Sequence, residues 1–163
     1  MKIDIRPLTA KEDDVIYNQL TQLFLEMYTF LKEIGLTQNL APNGELIWLN
    51  SVKKFLDKLN VVYIAMNGNK IIGFSTGNIR LNPSFLGSQK IGYLSHVYIT
   101  PLYRNMNLGS LLSLEVENWL IKNKVNQIDL EVLIENEGGM KFWSKLGYTA
   151  EYVMMTKIND EKV

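Results

Sequence analysis

The sequence predicts an α/β domain, and three observations carry that prediction. Segments with the two-residue alternation of strands interleave with segments that hold the period of a helix face. Asn67-Gly68 stands between two runs rich in β-branched residues, the strongest short signal for a hairpin. Leu94 to Leu120 reads as a strand, a sharp turn and an amphipathic helix in direct succession.

The elements follow in order. Lys2 to Arg6 alternates polar and apolar residues and is a short strand closed by Pro7, which has no N–H to give a ladder. Thr9-Ala-Lys-Glu12 has the capping-box spacing. A long helix is expected after it, with apolar positions 16, 20, 23, 24, 27, 30, 31 and 34 on one face and Gly35 as terminator. Residues 36–43 are turn-rich, and a second helix is expected from about Glu45 to Leu59. Val61–Met66 and Ile71–Ile79 are the hairpin strands, and residues 81–90 form a connection long for a hairpin. Then come a central strand at 91–99, a helix at 107–123 and a strand from Gln127 to Ile134. Asn136 is placed to cap a short helix ending at Leu146-Gly147, and Tyr148 to Ile158 is the last expected strand. Gly138-Gly139 in that helix's first turn costs about 1 kcal/mol per residue in propensity. Either something approaches the backbone closely there, or the glycines only loosen the helix start.

Composition narrows the function classes. A chain of 163 residues with 47% hydrophobic and 21% charged residues is sized for one domain over 1–163 with one sizeable core. Lys plus Arg and Asp plus Glu number 17 each, so no net field draws the chain to nucleic acid or an anionic membrane. The absence of cysteine removes disulfides and thiol nucleophiles, and a single histidine leaves no zinc ligand set. The N-terminus lacks a signal-peptide core and no apolar run approaches a membrane span, so a cytoplasmic location is expected.

The turn inside 94–120 carries the chemistry. Arg104-Asn-Met-Asn-Leu-Gly109 holds one cation, no carboxylate and two asparagines, which tolerate left-handed dihedrals. The first turn of a helix presents free N–H groups at the positive end of its dipole, so such a loop suits an anion. Arg104-x-x-Asn107-x-Gly109 resembles the acyl-CoA-binding signature of the GNAT superfamily of N-acetyltransferases, Arg/Gln-x-x-Gly-x-Gly/Ala, with Asn107 in place of the first glycine. Further on, Asn136-x-x-Gly139-x-x-Phe142-Trp143-x-Lys145-Leu146-Gly147-Tyr148 is similar to the family's Asn-x-x-Ala-x-x-x-Tyr-x-Lys-x-Gly-Phe. The expected order β-α-α-β-β-β-α-β-α-β also matches the family's.

The resemblance implies the GNAT acyl-CoA N-acyltransferase fold: a mixed, mostly antiparallel sheet of six to seven strands with four flanking helices and splayed central strands. It implies acetyl transfer from acetyl-CoA to a primary amine of a small molecule, protein or peptide, directly, with backbone polarisation of the thioester. Homodimers are common among such proteins. The rival from a different class is a catalytically weak CoA-binding sensor or interaction subunit. A nucleotide-phosphate site is poorly supported, because the chain has neither Gly-x-x-x-x-Gly-Lys-Ser/Thr nor Gly-x-Gly-x-x-Gly.

Site residues follow from the same resemblance. The N–H groups of Asn105, Met106, Asn107, Leu108, Gly109 and Ser110 would surround the pyrophosphate, with Arg104 orienting the loop or adding charge. The pantetheine arm would lie along Val97, Tyr98 and Ile99, pairing with the main chain of Val97 and Ile99. His96, with an ordinary pKa of about 6.5, is a candidate base, against the reading of a packed histidine; Ser95 and Glu131 are candidate relays, and bulk water is the alternative. Trp143 stands where the family often has a phenol, so it is either core or a wall against pantetheine, and Tyr148 or Tyr103 is left as the candidate acid. Asn136 is expected to bond the cofactor, to cap its helix, or both. Tyr28, Trp48, Glu45 and Glu131 are candidates on the acceptor side, with core or surface packing as the competing reading.

Overall fold

A computed structural model describes residues 3–158. Five strands form one sheet in the order β1-β2-β3-β4-β5: β1 (Ile3–Pro7), β2 (Asn60–Asn67), β3 (Lys70–Leu81), β4 (Lys90–Ile99) and β5 (Ile128–Asp129). The first four pair antiparallel and β5 joins β4 in parallel. Helices α1 (Asp14–Glu33) and α2 (Gly44–Lys54) cover one face, where Leu20, Phe24, Ile64, Phe74 and Tyr98 form a buried cluster. Helix α3 (Leu108–Lys122) covers the other through Leu108, Leu112, Val116 and Leu120, and α4 (Glu137–Lys145) follows β5. No helix among the described residues is long and apolar enough to cross a membrane.

Local chemistry explains most boundaries. The hairpin turns at Gly68-Asn69, with Gly68 at φ +60°, one residue later than the Asn67-Gly68 pair suggests. Helix α1 runs unbroken and closes at Gly35, where Leu36 N–H donates to Leu31 C=O at 2.9 Å. Its cap is Asp13, whose carboxylate accepts from Ile16 N–H, and not Thr9. Glu12 does accept from Thr9 N–H, but Arg6 grips the same carboxylate at 2.6 Å and holds that turn against β1. Helix α2 ends at Lys54 and not at Leu59, because the Asn60 side-chain amide donates to the Ser51 and Val52 carbonyls and turns the chain into β2.

Two expected strands are corrected. The segment 127–134 pairs with β4 only at Gly92–Ile128 and Tyr93–Asp129. Tyr148–Ile158 is not a strand, so the described sheet has five strands and not six or seven. One feature of β4 accounts for the first correction. Thr76 pairs with His96 and Gly77 with Leu94, leaving Ser95 as an extra residue in β4. Such a bulge bends and twists its strand and ends pairing beside it. With β5 only two residues long, the tail has no ladder of useful length to join. Opposite the bulge, a Cβ on Gly77 would lie 2.4 Å from Val116 Cγ1, so a glycine there lets α3 press onto the sheet.

Candidate active site

The bulge turns the main chain of β4 outward. Gly92 N–H donates to Gln127 C=O on the β5 side, whereas Thr100 N–H donates to Ile72 C=O on the β3 side, both at 2.9 Å. These residues lie an even number apart, so in a regular strand they would face the same way. The odd residue, Ser95, reverses the parity. Beyond it, Val97 and Ile99 direct their N–H and C=O groups toward β5, where no pairing follows Tyr93 among the described residues. The result is an open edge along the second half of β4, a place for an extended ligand to add as a strand.

That edge runs into the turn before α3. A short 3₁₀ turn, Pro101–Tyr103, leads to Asn105 at φ +62° and Asn107 at φ +60°. Asn107 thus takes the left-handed conformation expected of a glycine substitute. No side chain caps α3, and its first i to i−4 bond is Leu111 N–H to Asn107 C=O at 3.1 Å. The N–H groups of Leu108, Gly109 and Ser110 find no acceptor among the described residues and point out of the positive end of a helix of 15 residues. Arg104 donates from Nε to Ile99 C=O at 3.1 Å, and its guanidinium lies 5.3 Å from the Phe30 ring and 5.7 Å from the Tyr98 ring. It ties the loop to the open edge and to α1. This set of free donors fits an extended ligand ending in a diphosphate, as in acyl-CoA.

Helix α4 backs the turn. Asn136 caps it by accepting from Gly139 N–H at 2.9 Å, and a Cβ on Gly139 would stand 2.6 Å from Asn136 Nδ2. The close approach suggested by the glycine pair is therefore the cap's own side chain. A Cβ on Gly109 would meet the Phe142 ring at 3.3 Å, so α4 packs directly against the first turn of α3. Trp143 packs against the α3-side cluster and meets the Tyr148 ring edge-on at 5.3 Å.

Two expected roles are altered by what these side chains touch. The Tyr148 hydroxyl donates to Glu117 Oε1 at 2.7 Å, and burial together with that carboxylate pushes its phenol far up. Tyr148 is thus bound to α3 and is a poor acid. The Tyr103 hydroxyl differs: it accepts from the Asn67 side-chain amide at 2.9 Å and keeps its own proton to give. His96 points to the α1–α2 face, with Nδ1 2.9 Å from Thr76 Oγ1 and its ring edge-on to Phe24 and Trp48. Burial in that aromatic setting pushes the imidazole down to about 4, so it is neutral near pH 7 and a weak base.

The remaining acceptor-side candidates divide. Trp48 is half-buried and stacks on Phe24 at 4.2 Å between centroids, and Tyr28 packs against the same ring. Glu45 lies in the first turn of α2. Glu131 is exposed beyond the end of β5; burial raises the Tyr93 phenol, and the Glu131 carboxylate adds to that rise. A polar row on β3 was not singled out by sequence: Thr76, Asn78 and Arg80. Its strand-period spacing was the available signal. Asn78 donates to Ser95 Oγ at 2.7 Å, and Arg80 donates to Asn78 Oδ1 at 2.9 Å while its guanidinium covers the Tyr93 ring.

Known proteins share this fold. Residues 17–148 match the model of the acetyltransferase (GNAT) family. Among solved structures, an aminoglycoside N-acetyltransferase, AAC(6')-Iy, in complex with CoA superposes with TM-score 0.76 at 16% identity, covering 98% of this chain and 95% of that one. Glucosamine-6-phosphate N-acetyltransferase from Arabidopsis thaliana gives TM-score 0.71 at 16% identity over 98% and 100% of the two chains. A ribosomal-protein-alanine N-acetyltransferase from Brucella melitensis biovar Abortus 2308 gives 0.71 at 13% identity, over 98% and 100%. A search of curated proteins finds no match.

Proposed function

The chain belongs to the GNAT family of acetyltransferases, and from that premise we propose that it moves the acetyl group of acetyl-CoA onto a primary amine of a small molecule, protein or peptide. The similar structures are named for an aminoglycoside, an amino-sugar phosphate and a ribosomal-protein alanine as acceptors. The observation that supports the reading is the alignment of two features: the unpaired edge at Val97 and Ile99 leads directly into the uncapped start of α3. Bound acetyl-CoA supplies a thioester whose carbonyl carbon accepts the amine as the C–S bond breaks, giving an amide and CoA thiol.

The chain's residues do the rest. The N–H groups of residues 105–110 and the α3 dipole hold the diphosphate, with Arg104 fixing the loop. The main chain of Val97 and Ile99 takes the pantetheine as an added strand, and Val97 N–H points where negative charge develops on the carbonyl oxygen. Trp48 and Tyr28 border the acceptor side. An ammonium of pKa about 10.4 cannot usefully give its proton to an imidazole near 4, so the amine reacts from the small neutral fraction that has already lost its proton to bulk solvent, in a pre-equilibrium set by pH, with His96 as a packing residue. The thiolate, with a thiol pKa near 8.5, leaves without a phenol. The proposal includes one domain over residues 1–163, a cytoplasmic location and a homodimer.

The second reading, a CoA-binding sensor with little turnover, is favoured by Trp143 and by the engagement of Tyr148 with Glu117. Release of free thiol from acetyl-CoA with a panel of primary amines separates the two. Turnover that climbs steadily with pH between 6 and 9, without an inflection near 6.5, is expected. CoA binding with no thiol release on any amine would support the sensor.

A further inference from the structure

We propose that the Ser95 hydroxyl donates a hydrogen bond to the thioester of bound acetyl-CoA, as a side-chain partner of Val97 N–H, with its direction set by Asn78 and Arg80. This rests on the acetyl-CoA reading above. The wiring of the neighbouring hydrogen bonds fixes which way this hydroxyl donates. A guanidinium only donates, so the Asn78 atom 2.9 Å from Arg80 Nε is its oxygen. That fixes the amide, and the atom 2.7 Å from Ser95 Oγ is therefore Nδ2, which also only donates. Ser95 Oγ must accept, and its own proton points elsewhere. No acceptor for that proton is found among the described residues.

Three donors thus run head to tail from an exposed cation to the bulge. Successive hydrogen bonds polarise one another, so the terminal O–H is a better donor and its oxygen a worse acceptor. This wiring suits a group that meets developing negative charge, and disfavours Ser95 as a relay for the amine's proton. Position agrees. From the α3 turn the open edge passes Ile99 and then Val97, and the bulge residue comes next. Ser95 lies where an arm anchored at the turn brings its acyl end, on the face that α1 and α2 share with His96. The site has use for such a donor, since the Tyr148 phenol gives its proton to Glu117.

The test reads the bound carbonyl directly. Difference infrared spectra of acetyl-CoA labelled at the carbonyl carbon, bound to the full chain, are compared with those of Ser95→Ala and Arg80→Gln. The carbonyl band should move to higher frequency in Ser95→Ala and partway in Arg80→Gln. In turnover, Ser95→Ala should lower kcat about 10- to 100-fold with KM for acetyl-CoA within about twofold. Arg80→Gln should cost less, and nothing further in the Ser95→Ala background. An unmoved band in a Ser95→Ala variant that still binds acetyl-CoA overturns the proposal and leaves the functional reading intact, as does an Arg80→Gln loss that persists without Ser95. A parent chain that fails to bind acetyl-CoA removes the functional reading itself, and this proposal with it.

Discussion

Gly109→Glu should weaken CoA binding by at least about 100-fold in a calorimetric titration while the chain stays folded. Gly109 is the second residue of an uncapped helix, between two of the three N–H groups left without acceptors. A carboxylate there competes with the diphosphate for those donors and repels it. Two unit charges about 4 Å apart near a protein surface interact by about 4 kcal/mol, roughly a thousandfold in affinity. Sterics add to this, because the new Cβ would meet Phe142 at 3.3 Å. Gly109→Ala separates the two effects: it keeps the contact with Phe142 and adds no charge, so it should retain affinity within about tenfold. A negative charge at a helix start favours the helix, so loss of binding by Gly109→Glu would not reflect unfolding of α3. Unchanged affinity in Gly109→Glu would remove the α3 turn as the diphosphate site.

The second large effect is an acid sensitivity built on one residue. The His96 imidazole sits near 4 in the folded chain, against about 6.5 when unfolded, because burial disfavours its charged form. As pH falls through 6.5 the unfolded chain gains a proton that the folded chain refuses. Stability therefore declines toward pH 4, below which the folded chain also takes the proton and this loss levels off. The shift corresponds to about 3 kcal/mol, a sizeable fraction of a typical domain's stability. Urea midpoints measured from pH 7.5 to 4 should fall more steeply for the parent than for His96→Gln, which keeps a polar partner for Thr76 and cannot titrate. Parallel curves for the two proteins would mean that His96 titrates normally and would reopen its role as the base.

What was legible in the sequence was the local chemistry of short segments. The strand, turn and helix of 94–120 could be read because Pro101, the two asparagines and the apolar period of α3 each act within a few residues. The positive φ of Asn107 follows from its own side-chain type, and the capping of α4 by Asn136 from a spacing of three. The pairs that were missed join distant parts of the chain. Thr9 loses the α1 cap to Asp13 because Arg6, on a strand, competes for Glu12. Tyr148, just past α4, is withdrawn from chemistry by Glu117, 31 residues away on α3. The truncation of β5 depends on a bulge in its neighbour, and nothing within 127–134 announces it. The donor row of Arg80 and Asn78 has strand spacing, but its meaning appears only when Ser95 is brought across from β4.

Amide hydrogen exchange at Val97 and Ile99, with and without CoA, tests the open edge most directly. In the free chain these two amides should exchange much faster than those of Tyr98 and Thr100, which face β3, and saturating CoA should slow them at least about tenfold. Val97 and Ile99 amides already protected in the free chain, or indifferent to CoA, would mean that the sheet is closed there and that the ligand binds elsewhere.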